Sequence, residues 1–411
     1  MKTEIPEGYK NSPVGIIPEE WEVRKLGEIC TNFKSGQSIT SPRISYSDKY
    51  PVYGGNGLRG YTHSFTHSGD HILIGRQGAL CGNINFVTGE NFISEHAIAV
   101  KTDLNNDIRF WALKLDYLDL NRLSESSAQP GLSVEKLIKL KVSIPPLLEQ
   151  KKIAEILTMW DVAIEKQTLL IEKLELRKRG LMQQLLTGKK RLKGFDGEWR
   201  KVCYSEIVKE INSKLKWNDE ELYKLVSVRR RSGGLFERES LYGKEIQTKN
   251  LRPIITGDFL ISKMQIVHGA SGLVTEEFND MKISGSYVIL NSKNKNILDM
   301  CYFNLWSQMP HFYHQAFISS YGVHIEKMTF SLDTFLSFGM TLPPIKEQKA
   351  IIKVISVVDK EIHVAKEKLE QLNKQKKGLM QVLLTGKKRV ITTTNTQTNE
   401  NIRNQKSIRA V

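Results

Sequence analysis

PPLLEQKKIAEILTMWDVAIEKQTLLIEKLELRKRGLMQQLLTGKKR, from Pro145 to Arg191, recurs as PPIKEQKAIIKVISVVDKEIHVAKEKLEQLNKQKKGLMQVLLTGKKR, from Pro343 to Arg389. The copies align without a gap. One recurrence this far apart is too long a period for a solenoid and marks two similar halves. In the first copy Ile153, Leu157, Trp160, Ile164, Gln167, Ile171, Leu174, Lys178, Leu181 and Leu185 alternate steps of four and three, the heptad seam of a coiled coil. The second keeps the register with Ile351, Ile355, Val358, Ile362, Ala365, Leu369, Leu372, Lys376, Leu379 and Leu383, a lysine again at the same place. Pro-Pro suits a helix entry, where the missing N–H is tolerated, and Gly188 and Gly386 fall where a left-handed C-terminal cap belongs. The pattern predicts two helices of about 40 residues, roughly 60 Å each at 1.5 Å per residue. An amphipathic helix that long needs a partner, and its duplicate is the natural one; the alternative is two core helices that never meet.

Outside the helices, residues 1–144 and 189–342 echo one another more faintly but in the same order. Glu20-Trp21 and Glu28-Ile29 recur as Glu198-Trp199 and Glu206-Ile207, and Gly69-Asp70 before Ile72-Leu73-Ile74 recurs as Gly257-Asp258 before Phe259-Leu260-Ile261. Each pair reads as a turn feeding a short strand. A strand pattern follows (Ala97 to Val100; Tyr287 to Leu290), then an aromatic-rich helix pattern (Ile108 to Leu120; Ile297 to Trp306), then an apolar run into Pro-Pro. The expected fold is two mixed α/β (α+β) domains, 1–144 and 189–342, separated by an antiparallel pair of long coiled-coil helices, 145–188 and 343–388, with a pseudo-twofold internal repeat. Chain continuity dictates the antiparallel sense, because the second helix leaves the second domain and, if it pairs with the first, runs back toward the first domain. Residues 389–411, polar and without apolar periodicity, predict a disordered tail.

With 411 residues, 40% of them hydrophobic, the chain has material for two or three domains. Met1 to Glu7 lacks the apolar core of a signal peptide, and about eighteen consecutive apolar residues occur nowhere, so neither secretion nor a membrane span is expected. Cys30, Cys81, Cys203 and Cys301 are scattered without CxxC spacing and read as reduced thiols of a cytoplasmic protein. The formal charge of +15 points to a polyanionic partner, nucleic acid first. Part of that excess, at Lys189, Lys190, Arg191 and Lys387, Lys388, Arg389, also complements helix C-terminal dipoles.

Catalytic motifs are sparse. Gly55-Asn56-Gly57-Leu58-Arg59-Gly60 matches GxGxxG by letter, but Tyr61-Thr62-His63-Ser64 follows instead of an apolar helix, so it reads as a glycine-rich turn. Thr187-Gly188-Lys189 and Thr385-Gly386-Lys387 lack the upstream glycines of a phosphate-binding loop and read as helix caps. His63, His67 and His71 have helical metal-face spacing, yet Ser64, Ser68, Gly69 and Asp70 between them argue for a turn; His311 and His314 have no neighbouring Cys or carboxylate. No metal site is expected, and the balance favours binding over catalysis.

Candidate nucleic-acid contacts are basic, amide and aromatic residues in turn-rich stretches. In the first domain these are Lys34, Arg43, Asn56, Arg59, Tyr61, Arg76 and Gln77; in the second, Arg229, Arg230, Arg231, Lys263, Gln265, Tyr321 and His324. Arg and Gln read guanine and adenine edges bidentately, whereas Lys and backbone N–H groups hold phosphate.

Two globular domains alternating with two helices that begin at Pro-Pro-x-x-Glu-Gln closely resemble the specificity subunit of Type I restriction-modification enzymes. The resemblance rests on Pro145-Pro146 with Glu149-Gln150, Pro343-Pro344 with Glu347-Gln348, the paired helix ends and Ile17-Pro18-Glu19-Glu20-Trp21. Tyr53-Gly54-Gly55-Asn56-Gly57, Ile74-Gly75-Arg76 and Gln129-Pro130-Gly131-Leu132-Ser133 look like parts of a target recognition domain. The second domain departs from this pattern: it lacks the glycine-rich loop and has Gly322-Val323-His324-Ile325 near where a glutamine is expected. The resemblance implies that each domain reads one half of a split double-stranded DNA target, while the helices set the spacing and dock two modification (methyltransferase) subunits. Restriction subunits, ATP-dependent translocases and nucleases, would join through the complex. It also implies no cofactor and no catalytic residue in this chain, with S-adenosylmethionine, ATP and Mg used by partner subunits. Two other readings stay open: a coiled-coil adaptor whose end domains bind proteins, and a nuclease built on the histidines.

Overall fold

The computed structural model of the chain describes residues 5–124 and 130–390; the segment from Ile391 onward, where disorder is expected, and Gln129 lie outside the described residues. The chain divides into two compact units, residues 1–168 with 367–411 and residues 169–366, so the division runs through both long helices.

The two units share one topology. The central antiparallel sheet of unit 1 has the strand order Cys30–Ser35, Ala97–Thr102, His71–Gly75, Ile84–Val87. Unit 2 repeats it with Val208–Glu210, Tyr287–Ser292, Phe259–Ser262, Ser271–Leu273. The central strands are buried continuous apolar runs, Ile72-Leu73-Ile74 and Phe259-Leu260-Ile261, as expected of strands covered on both faces. A second sheet in each unit is built on a hairpin, Tyr50–Gly54 with Gly57–Thr62 in unit 1 and Leu222–Val228 with Leu235–Tyr242 in unit 2. Its first strand also pairs in parallel with Phe92–Ile93 or Lys282–Ser284, and unit 2 adds Leu251–Pro253. A short antiparallel pair recurs in each unit, Glu22–Lys25 with Lys141–Ile144 and Arg200–Cys203 with Gly339–Leu342, while the pair Tyr9–Ser12 with Gly15–Pro18 belongs to unit 1 alone and Ser320–Tyr321 with Thr329–Phe330 to unit 2 alone.

The long helices run Leu147–Leu185 and Ile345–Leu383, 39 residues each. Gly188 (φ 71°) and Gly386 (φ 76°) end them in the left-handed conformation, and the same capping bonds recur in each copy, Lys190 N–H to the Gln184 carbonyl and Lys388 N–H to that of Val382. Every seam position is buried or half-buried. Within unit 1, Glu149 pairs with Arg389 at 2.9 Å and Asp161 with Lys376 at 2.5 Å. Within unit 2, Glu175 pairs with Lys366 at 2.7 Å, Arg177 with Glu361 at 3.1 Å and Lys178 with Asp359 at 2.6 Å. In each unit the partner number falls as the first helix advances, so the pairing is antiparallel. The seam lysines thereby acquire a reason: each meets the aspartate that the repeat places on the opposite helix.

The Pro-Pro-x-x-Glu-Gln motif is a clamp. Glu149, 1% exposed, accepts from Trp21 Nε1 at 3.0 Å and from Arg389 Nε at 2.9 Å; Glu347, also 1% exposed, accepts from Trp199 Nε1 at 3.0 Å and Arg191 Nε at 2.6 Å. The next residue ties down a neighbouring helix. Gln150 accepts from the backbone N–H of Asp107, and Gln348 from that of Asp299, both at 2.9 Å. Those aspartates in turn cap Ile108–Tyr117 and Met300–Trp306 through the N–H groups of Phe110 and Cys301. Each motif therefore fastens a long helix to a globular core that includes Trp21, Phe110 and Trp111 in unit 1 and Tyr204, Tyr302 and Trp306 in unit 2.

Candidate nucleic-acid interface

Three loops meet at one edge of unit 1. The hairpin turn Gly54-Gly55-Asn56-Gly57 packs backbone against backbone on the turn after the central strand: a Cβ on Gly55 would stand 2.8 Å from the His96 carbonyl oxygen, and one on Gly75 2.7 Å from that of Gly55. Only glycine allows that approach. Arg76 N–H donates to the His96 carbonyl, Leu132 N–H to that of Arg76, and Gly78 N–H to that of Pro130, which brings in the third loop. At its surface Gln77 Oε1 lies 3.3 Å from His96 Nδ1. Asn56, Arg59, Gln77 and His96 are exposed and Arg76 is half-buried.

The structure gathers Asn56, Arg59, Arg76 and Gln77 here, since Arg59 lies over Gly54 within the hairpin. Lys34, Arg43 and Tyr61 fall elsewhere. Lys34 is exposed on the edge strand Cys30–Ser35, Arg43 sits in the helical turn Ser41–Arg43, and half-buried Tyr61 is bonded through its backbone to Ser45 at the far end of the hairpin.

In unit 2 the hairpin turn at the same topological position is Arg229-Arg230-Arg231-Ser232-Gly233-Gly234. The missing glycine-rich loop is thus replaced by an arginine turn. Arg231 (φ 57°) and Ser232 (φ 52°) are left-handed, which exposes their N–H groups to the turn after the central strand; these donate to the carbonyls of His268 (2.7 Å) and Gly269 (2.8 Å). Ser232 Oγ and Tyr313 OH share a hydrogen bond of 2.5 Å. Arg229 is committed to the hairpin, donating to the Leu235 carbonyl and lying 4.5 Å over the Phe236 ring. Arg230 reaches Glu326 Oε2 at 3.0 Å, and His268 Nε2 lies at the same distance from Glu326 Oε1 without making a hydrogen bond to any described residue.

Lys263 accepts from Phe330 N–H through its carbonyl, and Gln265 begins the turn to His268 with its Oε1 buried and without a hydrogen-bond partner. Tyr321 and His324 are exposed on the adjoining loop. All seven residues expected in the second domain fall on these three joined loops. Reasoning from sequence missed Glu326, His268, Tyr313 and His96. The first is a lone acidic residue in a stretch with one lysine and carried no signal; the others are ordinary members of turns or helices until the loops are brought together.

The remaining motifs resolve as local structure. Gly55 to Gly60 is a hairpin turn and strand, and His63, His67 and His71 span a turn and the start of the central strand. The rings of His67 and His71 meet edge to face at 5.2 Å. Burial pushes both imidazoles below their ordinary value, with the neighbouring His71 adding to the effect on His67 and the Gly69 carbonyl partly opposing it for His71. Among the described residues no group of three or more His, Cys, Asp or Glu is placed to hold a metal ion. No helix of the described residues is long and apolar enough to cross a membrane.

A family model described as Type I restriction modification DNA specificity domain matches residues 18–176 and again 197–374. The Type I restriction enzyme EcoprrI specificity subunit of Escherichia coli is 41% identical over 159 residues, 37% of this chain and 39% of that protein. The MjaVIII specificity subunit of Methanocaldococcus jannaschii is 24% identical over 417 residues, 93% of this chain and 96% of that one. The crystal structure of the S subunit of a Type I restriction-modification system from M. genitalium has the same fold, with a TM-score of 0.60 at 15% identity over 88% of this chain and 96% of that chain.

Proposed function

The chain belongs to the family of Type I restriction-modification DNA specificity proteins, and from that premise we propose that it reads a bipartite target on double-stranded DNA, one half by each unit. The observation that carries this reading is the pair of three-loop clusters at matching topological positions, alike in scaffold and unlike in side chains. A common scaffold gives each unit one way of presenting residues to DNA; different side chains give each its own bases. The seam and clamp residues would serve the other half of the task, holding the long helices that set the distance between readings and dock the modification subunits. Half-sites one helical turn apart on the same side of the duplex suit two such readers.

The chain assembles with other restriction-modification subunits and DNA. Two modification subunits would supply methyl transfer from S-adenosylmethionine, and restriction subunits the ATP- and Mg-dependent steps, in the cytoplasm. The protein-binding adaptor reading is not favoured, because it leaves the arginine turn and the family membership without a purpose.

Methylation mapping in cells that express the modification subunits with and without this chain tests the proposal. A split motif methylated only when the chain is present is expected, and exchange of residues 1–144 for another recognition domain should change one half of it. Methylation indifferent to sequence, or failure of the chain to bind a modification subunit, would sink the reading.

A further inference from the structure

The loop from Tyr321 to Lys327 is unlike the rest of the unit 2 surface. Every residue in it is exposed, and three are large and apolar: Val323 at 95%, Tyr321 at 67% and Ile325 at 51%. Large apolar side chains left exposed together on one short loop suit a surface that meets something. The loop is nevertheless held in shape. Its stem is the antiparallel pairing of Ser320 with Phe330 and Tyr321 with Thr329, Lys327 N–H donates to the His324 carbonyl, and Gly322 (φ 154°) lets the chain fold back against Lys327 and Met328.

Its one acidic residue, Glu326, joins it to the two neighbouring loops through Arg230 and His268, each at 3.0 Å. Glu326 and Arg230 are both more than half exposed, and exposed pairs add little to stability, so this carboxylate is poorly explained as a stabiliser. It is better explained as a guide. An acid amid Arg229, Arg230, Arg231 and Lys327 weakens the pull on phosphate, yet it holds the Arg230 guanidinium at a fixed place.

We infer that the loop Tyr321–Lys327 is the base-reading element of unit 2, and that Glu326 is a positioning residue that aligns it with Arg230 until DNA takes the arginine over. This rests on the DNA-reading function proposed above. The methyl groups of Val323 and Ile325 suit the thymine C5-methyl, Tyr321 and His324 bring hydrogen-bonding tips, and Arg230 suits phosphate or a guanine edge. The location agrees with topology: Phe330 N–H donates to the Lys263 carbonyl in the turn after the central strand as Leu132 N–H donates to that of Arg76 in unit 1, so the loop leads into the place that Pro130-Gly131-Leu132 takes in unit 1.

The test uses the full chain in complex with its modification subunits. Methylation is mapped genome-wide for wild type, Glu326→Gln, Glu326→Asp and the tip variant Val323→Ala with His324→Ala; binding is then titrated with salt on a duplex carrying the mapped motif and on duplexes mismatched in its second half. The tip variant should lower discrimination in the second half about tenfold or more while the first half is read as in wild type. Glu326→Gln should relax the second half too, and steepen the log-log salt dependence by about one phosphate contact as Arg230 is released. Glu326→Asp should restore both, which a merely structural role would not require.

An unchanged second half in both Glu326→Gln and the tip variant overturns the inference and leaves the proposed function standing. Loss of all methylation with an unchanged melting temperature overturns it as well, because the loop is then a contact for a protein subunit. If the wild-type complex yields no split motif, it is the proposed function that fails.

Discussion

Units 1 and 2 are the same scaffold finished in two ways. Where they hold the long helices they agree almost atom for atom: Trp21, Glu149 and Arg389 in one, Trp199, Glu347 and Arg191 in the other. Where they face outward they diverge. Unit 1 packs glycines so closely that three loops share a backbone surface, whereas unit 2 ties its loops with left-handed Arg231 and Ser232 and the Glu326 bridge. The difference teaches where the constraints lie. The clamp between helix and core is kept in both copies; the surface proposed to read DNA needs only a rigid frame, and either buried backbone contacts or side-chain bridges supply one.

Removing the clamp carboxylate is the strongest way to break the agreement. Glu149→Ala should destabilise unit 1 and Glu347→Ala unit 2, each by about 3–5 kcal/mol, because a guanidinium and an indole N–H lose a buried acceptor together. Hydrogen exchange resolved by unit would measure both. Glu347→Ala should cost slightly more, since Arg389 keeps the carboxylate of Glu20 at 2.6 Å after Glu149 is gone, whereas Arg191 keeps its bond to the uncharged Gly197 carbonyl. Equal loss in both units from either substitution would show that the clamps are not local.

A buried lysine separates the units under the core. Counted from the capping aspartates, Lys114 of unit 1 stands where unit 2 has Trp306. Lys114 is 4% exposed, donates to Ser143 Oγ at 3.1 Å and to the Leu384 carbonyl at the end of the second long helix, and meets no carboxylate among the described residues; burial pushes its ammonium down to about 8 from an ordinary 10.5. Trp306 instead donates to Tyr204 OH at 2.8 Å and has no proton to lose in this range.

Between pH 8 and 10.5 the unfolded lysine holds its proton while the folded one has released it, so stability rises with pH across that window. Below pH 8 both states are charged and the full burial cost applies. The difference is about 3 kcal/mol at most. Denaturation of Lys114→Met alongside wild type at several pH values should show a rise in unit 1 that the variant lacks, and no difference in unit 2. A rise that survives the substitution would assign it to another group.

How much of this was legible follows from what repeats. The long helices, their glycine caps, the order of strand and helix patterns and the antiparallel sense came from residues written twice. The clamp did not, although Glu149 and Glu347 stood in plain view, because their partners Trp21 and Arg389 are joined to them only by the fold. Strand order was equally hidden: Ile72-Leu73-Ile74 announces a buried strand but not its neighbours. At the three-loop clusters, charge and turn chemistry drew attention to Arg230 and Gln77 but not to Glu326, whose contacts depend on two loops far away in sequence. Lys34, Arg43 and Tyr61 were drawn by the same signal and lie off the cluster, because residue type carries no information about which loops the fold brings together.

The smallest effect tests the repeat at its most literal. Lys178 with Asp359 and Lys376 with Asp161 are the same pair in the two copies, each lysine about one-fifth exposed and each aspartate nearly half. Such pairs contribute about 0.5–1 kcal/mol, little enough that stability alone does not account for a lysine in an apolar seam. A lone polar seam residue more often fixes register, because sliding one helix leaves its charge facing apolar side chains. Lys178→Leu should therefore change stability by less than about 1 kcal/mol in either direction, and Lys376→Leu by the same amount. The exchanged pair, Lys178→Asp with Asp359→Lys, should recover most of any loss in a double-mutant cycle. Equal coupling in both copies would show that the seam treats its two ends alike, and unequal coupling would place the first departure from the repeat inside the helices rather than at the reading surfaces.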